Sequence, residues 1–185
     1  MARRFTLLDG VYFEALVRVA GALETEGLPF ALVGGGAVQA WIASLRTGDG
    51  VRRLSDDPVL PRALRRTRDL DFATRVEPGS MLAVLNRLAA SSGRRAEVLG
   101  PRAMRLGAVS IAFTLDPADL SGMADRYDEF LASGVTLRLR RGTDPQPIVA
   151  IGLPELLATK LTRRGDKAKD LVDVTQLVSA ARDAG

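Results

Sequence analysis

Apolar residues recur at helical spacing through residues 12 to 26, where Phe13, Leu16, Val17, Ala20 and Leu23 mark one face, and Gly27 ends the predicted helix. Pro29-Phe30-Ala31-Leu32-Val33 is a short apolar run between a proline and three glycines, the pattern of a buried strand. Gly34-Gly35-Gly36 then opens a second helix carrying Ala37, Val38, Ala40, Trp41, Ile42 and Leu45. From Thr47 to Arg66 the periodicity stops. Gly48, Gly50, Pro58 and Pro61 mix there with Arg52, Arg53, Arg62, Arg65 and Arg66, which predicts a long, basic, mobile loop of the kind kept for binding. A strand is expected from Arg68 to Ala73, then a helix from Ser80 to Ala90 with Leu82, Leu85, Leu88 and Ala89 inward.

Further strands are predicted over 96–99, 103–106 and 109–115. In the last, Val109, Ile111, Phe113 and Leu115 alternate with Ser110, Ala112, Thr114 and Asp116, so Asp116 falls on the polar face. A helical turn over 123–131, strands over 135–140 and 148–151, and helices over 153–164 and 169–181 complete the chain, with Gly165-Asp166 between the last two. The pattern reads as an α+β fold, a mixed sheet flanked by helices. Residues 1–152 form the core, and helices in 153–185 pack on it as part of one compact unit.

Composition narrows the chemistry. With 185 residues, 46% hydrophobic and 26% charged, the chain can bury a core and falls outside the disordered class. It has neither cysteine nor histidine, which removes disulfides, thiolate and imidazole metal ligands, and every nucleophile–histidine arrangement. A general base is therefore Asp, Glu or Lys. Asp9 and Gly10 interrupt the N-terminal apolar residues before they could form a signal peptide, and no run approaches a membrane span, so a cytoplasmic protein without membrane partners is expected. The net charge is +4, yet 23 arginines are spread through the chain while the three lysines, Lys160, Lys167 and Lys169, share one window. An ammonium is a compact, strongly hydrated charge, so its restriction to one window marks that window for attention.

Three features carry candidate chemistry. In Arg66-Thr67-Arg68-Asp69-Leu70-Asp71-Phe72 the two carboxylates stand on one side of a strand, about 6.6 to 6.8 Å apart, while Leu70 and Phe72 enter the core. Their repulsion is relieved by a divalent cation, and oxygen ligands of this kind suit Mg²⁺, which also binds substrate phosphates; a solvated strand end beside Arg68 reads the same way. Gly34-Gly35-Gly36 at a strand-to-helix turn offers backbone N–H groups and the helix dipole to a phosphate, or is simply a tight turn. No GxxxxGK[ST] or GxGxxG string occurs. Counting by three and four from Leu153 gives Leu156, Leu157, Lys160, Leu161 and Arg164, so Lys160 lies on an apolar stripe, where it must snorkel to water, lose its charge or point at a negative group. Asp170 and Asp173 share a face of the last helix, where Asp170 also suits the helix N-terminus.

Taken in order, Val33-Gly34-Gly35-Gly36-Ala37, Arg66-Thr67-Arg68-Asp69-Leu70-Asp71-Phe72, Leu153-Pro154-Glu155-Leu156-Leu157-Ala158-Thr159-Lys160-Leu161 and Lys169-Asp170-Leu171-Val172-Asp173 resemble the AbiEii/AbiGii-type branch of the DNA polymerase β-like nucleotidyltransferase superfamily, over residues 28 to 178. The resemblance implies a nucleotidyltransferase core with a helical C-terminal third. It implies transfer of a nucleoside monophosphate from an NTP to a hydroxyl acceptor with Mg²⁺. Gly34, Gly35 and Gly36 would face the phosphates with Thr67 beside them, and Asp69 and Asp71 would bind metal. Lys160 would contact phosphate, and Asp170 and Asp173 would match the acidic residues of the last motif. A third metal-binding carboxylate would be Asp116 or Asp119. The acceptor in this branch is often RNA, particularly a tRNA end, in toxin-antitoxin systems, so RNA and a cognate antitoxin are implied partners. A catalytically degenerate binding or antitoxin-like protein and a transferase acting on an aminoglycoside-like small molecule are the alternatives. The chain departs from the pattern in its longer glycine-to-DxD gap, and in carrying Gly36 and Ala37 where the branch has serine or threonine.

Overall fold

The computed structural model describes residues 3–93, 96–115, 127–162 and 167–184. Helix α1 (Gly10–Thr25) is entered through a turn in which Asp9 accepts the Thr6 backbone N–H at 2.7 Å. It buries Tyr12, Phe13, Leu16, Val19, Ala20 and Leu23. Gly27, at φ +63°, reverses the chain after α1, and the Leu28 N–H bonds back to the Leu23 carbonyl, closing the last turn. Strand β1 (Phe30–Val33) is buried at all four positions and runs straight into α2 (Gly34–Thr47), which Gly48 ends in the left-handed conformation.

The segment after α2 differs from the expected mobile loop. It holds a 3-10 turn (Leu54–Asp56) and a short helix, α3 (Leu60–Ala63), and Leu54, Leu60 and Leu64 are buried. Asp57 fastens it: one carboxylate oxygen accepts the Val59 and Leu60 N–H groups at 2.8 and 3.0 Å, and Arg46 pairs with the other at 3.2 Å. Burial pushes the Asp57 carboxyl up, but these hydrogen bonds and the arginine charge more than reverse it, leaving it below the usual range. Three widely spaced leucines give no period, so the segment's packing is invisible beneath its arginines.

Strand β2 (Asp69–Thr74) leads to α4 (Pro78–Ser92), β3 (Ala96–Gly100), β4 (Ala103–Leu106) and β5 (Val109–Thr114). The buried face of α4 is Met81, Val84, Leu85 and Leu88, one position round from the expected one, and Leu82 is exposed. The spacing i, i+3, i+4, i+7 counted from Met81 is the better helical stripe. Helix α5 (Tyr127–Ala132), β6 (Val135–Arg140), β7 (Pro145–Ala150), α6 (Leu153–Thr162) and α7 (Lys167–Ala184) follow. β7 begins three residues before the apolar run over 148–151, because Pro145 and Pro147 lie at the end where the strand pairs with β6 alone.

The seven strands form one sheet in the order β3-β4-β5-β2-β1-β7-β6. β2 and β5 are parallel, as are β1 and β7, and the other neighbours are antiparallel. At its centre Phe72 stacks on Phe113 with ring centroids 5.8 Å apart and meets Phe30 at 6.2 Å. Helices α6 and α7 pack on each other and on α2, which itself lies along β1, β2 and β6. No helix among the described residues is long and apolar enough to cross a membrane.

Candidate active site

Because β1 and β2 are antiparallel with Val33 opposite Asp71, α2 starts beside the first half of β2. The glycines at that start are needed for close approach. A Cβ on Gly34, which has φ +64°, would stand 2.6 Å from Asp71 Oδ2. One on Gly35 would stand 3.0 Å from Thr67 Oγ1 and 3.3 Å from Arg65 Nη2. Gly36 turns inward instead, so that a Cβ there would meet Leu32, Leu70 and the Tyr12 hydroxyl; Gly35 is buried like Gly36, and Gly34 is half-buried. Gly34, Gly35, Thr67, Asp69 and Asp71 are thus gathered at one corner, where α2's first turn meets β2.

Asp69 and Asp71 are both half-buried and share one face of β2, with Leu70 and Phe72 fully buried on the other. The buried Thr67 hydroxyl donates to Asp69 Oδ1 at 3.3 Å, and the Tyr12 hydroxyl donates to the Asp69 backbone carbonyl at 3.0 Å. Burial first, then the charges of Asp71 and Asp69, push the Tyr12 phenol well above its usual range, so it remains a donor. Helical spacing places Tyr12 in the first helix and does not show this role. An aromatic with a hydroxyl on a fully apolar stripe is the signal that points to it, because such a group needs a buried acceptor.

Parallel pairing sets Asp69 level with Ser110 and Asp71 level with Ala112. The β5 positions that share the carboxylates' face therefore carry a hydroxyl and a methyl group. Asp116 and Asp119, the expected third carboxylate, lie outside the described residues. Among the described residues no group of three or more carboxylates is placed to hold a metal ion. Two carboxylates on one face beside a helix N-terminus still suit Mg²⁺ taken up together with phosphate, since that ion is commonly held by one or two carboxylates plus substrate oxygens.

Lys160 does lie on the buried stripe of α6, but its ammonium neither snorkels nor meets this corner. Its side chain is 4% exposed and donates to Asp170 Oδ1 at 3.0 Å and Asp173 Oδ2 at 2.7 Å. Asp173, fully buried, is also gripped by Arg65, through Nε at 2.5 Å and Nη2 at 3.0 Å. Burial pushes the Asp173 carboxyl up, and the hydrogen bonds and charges of Arg65 and Lys160 bring it below its ordinary value. Asp170 and Asp173 thus hold the lysine. Arg65, read from sequence as one of several loop arginines, is the residue that joins this buried set to the corner. Gln39, buried on α2, donates to the Arg65 carbonyl at 2.9 Å and accepts the Leu7 N–H at 2.8 Å, tying the N-terminal segment to the same turn. Its signal is a lone amide on an otherwise apolar helix face.

The antigenic nucleotidyltransferase-like protein of Paracoccidioides brasiliensis superimposes on this chain with a TM-score of 0.55 at 17% identity, over 96% of this chain and 78% of that one. The fold is that of a nucleotidyltransferase. The antibiotic-resistance factor ANT(2'')-Ia aligns more weakly, with a TM-score of 0.48 at 14% identity over 94% of this chain and 89% of its own, and adds nothing to that assignment. No protein-family model and no curated protein matches the sequence. Within the nucleotidyltransferase fold, the corner made by α2 and β2 is where this chain concentrates half-buried carboxylates, bare glycine backbone and a helix N-terminus.

Proposed function

We propose that this chain is a Mg²⁺-dependent nucleotidyltransferase, which moves a nucleoside monophosphate from an NTP to a hydroxyl acceptor. The observation that carries the reading is the pair Asp69 and Asp71 on one face of β2, against which Gly34 lets the first turn of α2 close. Asp69 and Asp71 would hold the ion, Gly34 and Gly35 would present backbone N–H groups to the phosphates, and Thr67 and Tyr12 fix the Asp69 side chain and backbone. Bound Mg²⁺ supplies neutralisation of phosphate charge and activation of the acceptor oxygen. In the transfer a bond forms from the acceptor oxygen to the α-phosphorus and the bond to the bridging oxygen breaks. Pyrophosphate leaves with that electron pair, and the acceptor proton passes to a carboxylate or water, since the chain has no histidine.

Arg52, Arg53, Arg62, Arg66 and Arg68 are exposed on the segment that ends at Asp69, which favours a polyanionic acceptor such as RNA. The AbiEii/AbiGii resemblance makes a tRNA end, a toxin-like role and a cognate antitoxin the specific forms of that reading. Ser110 and Ala112, level with the two aspartates, favour a second reading in which nucleotide binds without efficient transfer.

Incubation with Mg²⁺, each labelled NTP in turn and total cellular RNA tests both. Asp69→Asn and Asp71→Asn should each lower labelled-acceptor formation at least about a hundredfold, about 2.7 kcal/mol of barrier, with little change in melting temperature. Transfer at the wild-type rate in either variant overturns the assignment. Metal-dependent NTP binding with no labelled acceptor from RNA or small molecules supports the second reading.

A further inference from the structure

We propose that Arg65, and not Lys160, is the side chain that meets the nucleotide's phosphates at the Gly34–Gly35 corner, and that Lys160, Asp170 and Asp173 are positioning residues that act through it. This rests on the nucleotide-binding reading above. Lys160 is committed: two of its three ammonium hydrogens are on Asp170 and Asp173, and its side chain is 4% exposed, so little of it is open to an incoming phosphate. Arg65 is built differently. A guanidinium has five N–H donors in a rigid fork, and the edge formed by Nε and Nη2 is fixed on Asp173 while Nη1 reaches the Arg66 carbonyl at 3.2 Å. The fork keeps a hydrogen on each terminal nitrogen, and the side chain is 21% exposed. Nη2 lies 3.3 Å from where a Gly35 Cβ would be, at the first turn of α2. An alanine there would press on both Arg65 and Thr67, so the glycine keeps the guanidinium against the helix start.

The charges in this group balance: Arg65 and Lys160 against Asp170 and Asp173. Lys160 bridges Asp170 and Asp173, and Asp173 in turn orients the arginine. The arginine's backbone is fixed independently by Gln39. The two C-terminal helices, which also pack on α2, in this way send a charged link to the nucleotide corner through Arg65.

The test is calorimetric titration of the full chain with Mg²⁺-NTP and with inorganic tripolyphosphate, beside transfer kinetics. Arg65→Lys keeps a cation for Asp173 but loses the fork; it should weaken binding of both probes about tenfold or more and raise KM, with kcat changed less. Asp173→Asn and Lys160→Arg should shift the same quantities in the same direction by less. Combined with Arg65→Lys they should add almost nothing. A second measurement needs no variant to be stable: the ¹⁵N resonance of the Arg65 guanidinium in the wild-type chain should shift when either probe is added. Unchanged affinity in a folded Arg65→Lys variant, or an Arg65 resonance that ignores both probes while the wild type binds them, overturns the proposal and leaves the carboxylate site standing. A wild-type chain that binds neither probe overturns both.

Discussion

Two sets of carboxylates, one at the first turn of α2 and one joined to it by Arg65, are treated in contrary ways. Asp69 and Asp71 are half-buried on one strand face, two like charges side by side at a helix start. Asp170 and Asp173 are sealed in and matched one for one by Lys160 and Arg65. A buried, balanced set has its desolvation offset from within the chain and gains little from a further ion. A half-buried pair of like charges on one strand face is one that a further cation would stabilise. The contrast separates a candidate site from a fastening, although both are short strings of aspartate and basic residues in the sequence.

The largest effect is expected from breaking the fastening. Lys160→Met keeps the stem's bulk but leaves two buried aspartates with only Arg65 between them, and should cost about 3–5 kcal/mol of unfolding free energy at neutral pH. The pH dependence gives the sign. The native Asp173 carboxyl lies below its unfolded value of about 3.9, so the stability it contributes is present above that pH and lost as pH falls through the lower native value. Without Lys160 that depression shrinks, so denaturant melts should show the gap between wild type and variant closing below about pH 4. A methionine variant as stable as wild type at neutral pH would mean that the ion pairs contribute nothing.

From sequence alone Lys160 is a cation on an apolar stripe, and the negative group it meets is not identified. Its partners lie ten and thirteen residues on, in the next helix, and spacing within one helix cannot report contacts with another. The elements themselves were legible wherever alternation or helical period ran for several residues, as in β5 or α1. Asp69 and Asp71 were legible too, since a period of two fixes their common side. The fastened 48–68 segment was not: Leu54, Leu60 and Leu64 are too sparse for a period, and Asp57's hydrogen bonds are made by backbone groups that any sequence would carry. Nor was the identity of β5's neighbour, which requires the sheet order and places Ser110 and Ala112 beside the aspartates.

An intermediate effect should follow from closing the open site without touching the fastening. Gly34→Ala puts a Cβ at φ +64° and 2.6 Å from Asp71 Oδ2, so it costs about 1–2 kcal/mol of backbone strain and displaces that carboxylate. Mg²⁺ titration of the variant should show weakened metal-dependent NTP binding. Its acid-limb pH profile should match wild type, because Asp173, Lys160 and Arg65 keep their contacts. Loss of the acid limb together with the metal response would join the two sets into one cooperative unit and dissolve the contrast.

The smallest effect concerns the floor of the open site. Tyr12→Phe removes the hydroxyl that donates to the Asp69 carbonyl at 3.0 Å, and should cost about 1 kcal/mol near neutrality. Burial and the two aspartates raise the native phenol above its unfolded value of about 10. A folded state that holds the proton more tightly is favoured below the unfolded value and loses that advantage as pH rises toward the native one. Wild-type stability should therefore fall on the alkaline side with a component that Tyr12→Phe lacks, and the difference between the two should narrow there. The chain has two tyrosines, Tyr12 and Tyr127, so the phenolate absorbance of the variant reports Tyr127 alone and the difference spectrum isolates Tyr12. Added Mg²⁺-NTP tests the link to the site. A cation between Asp69 and Asp71 offsets the negative charges that help hold the phenol protonated, so the Tyr12 titration should move to lower pH on binding. A Tyr12 titration that stays where it was while NTP binds would place the ligand away from the two aspartates.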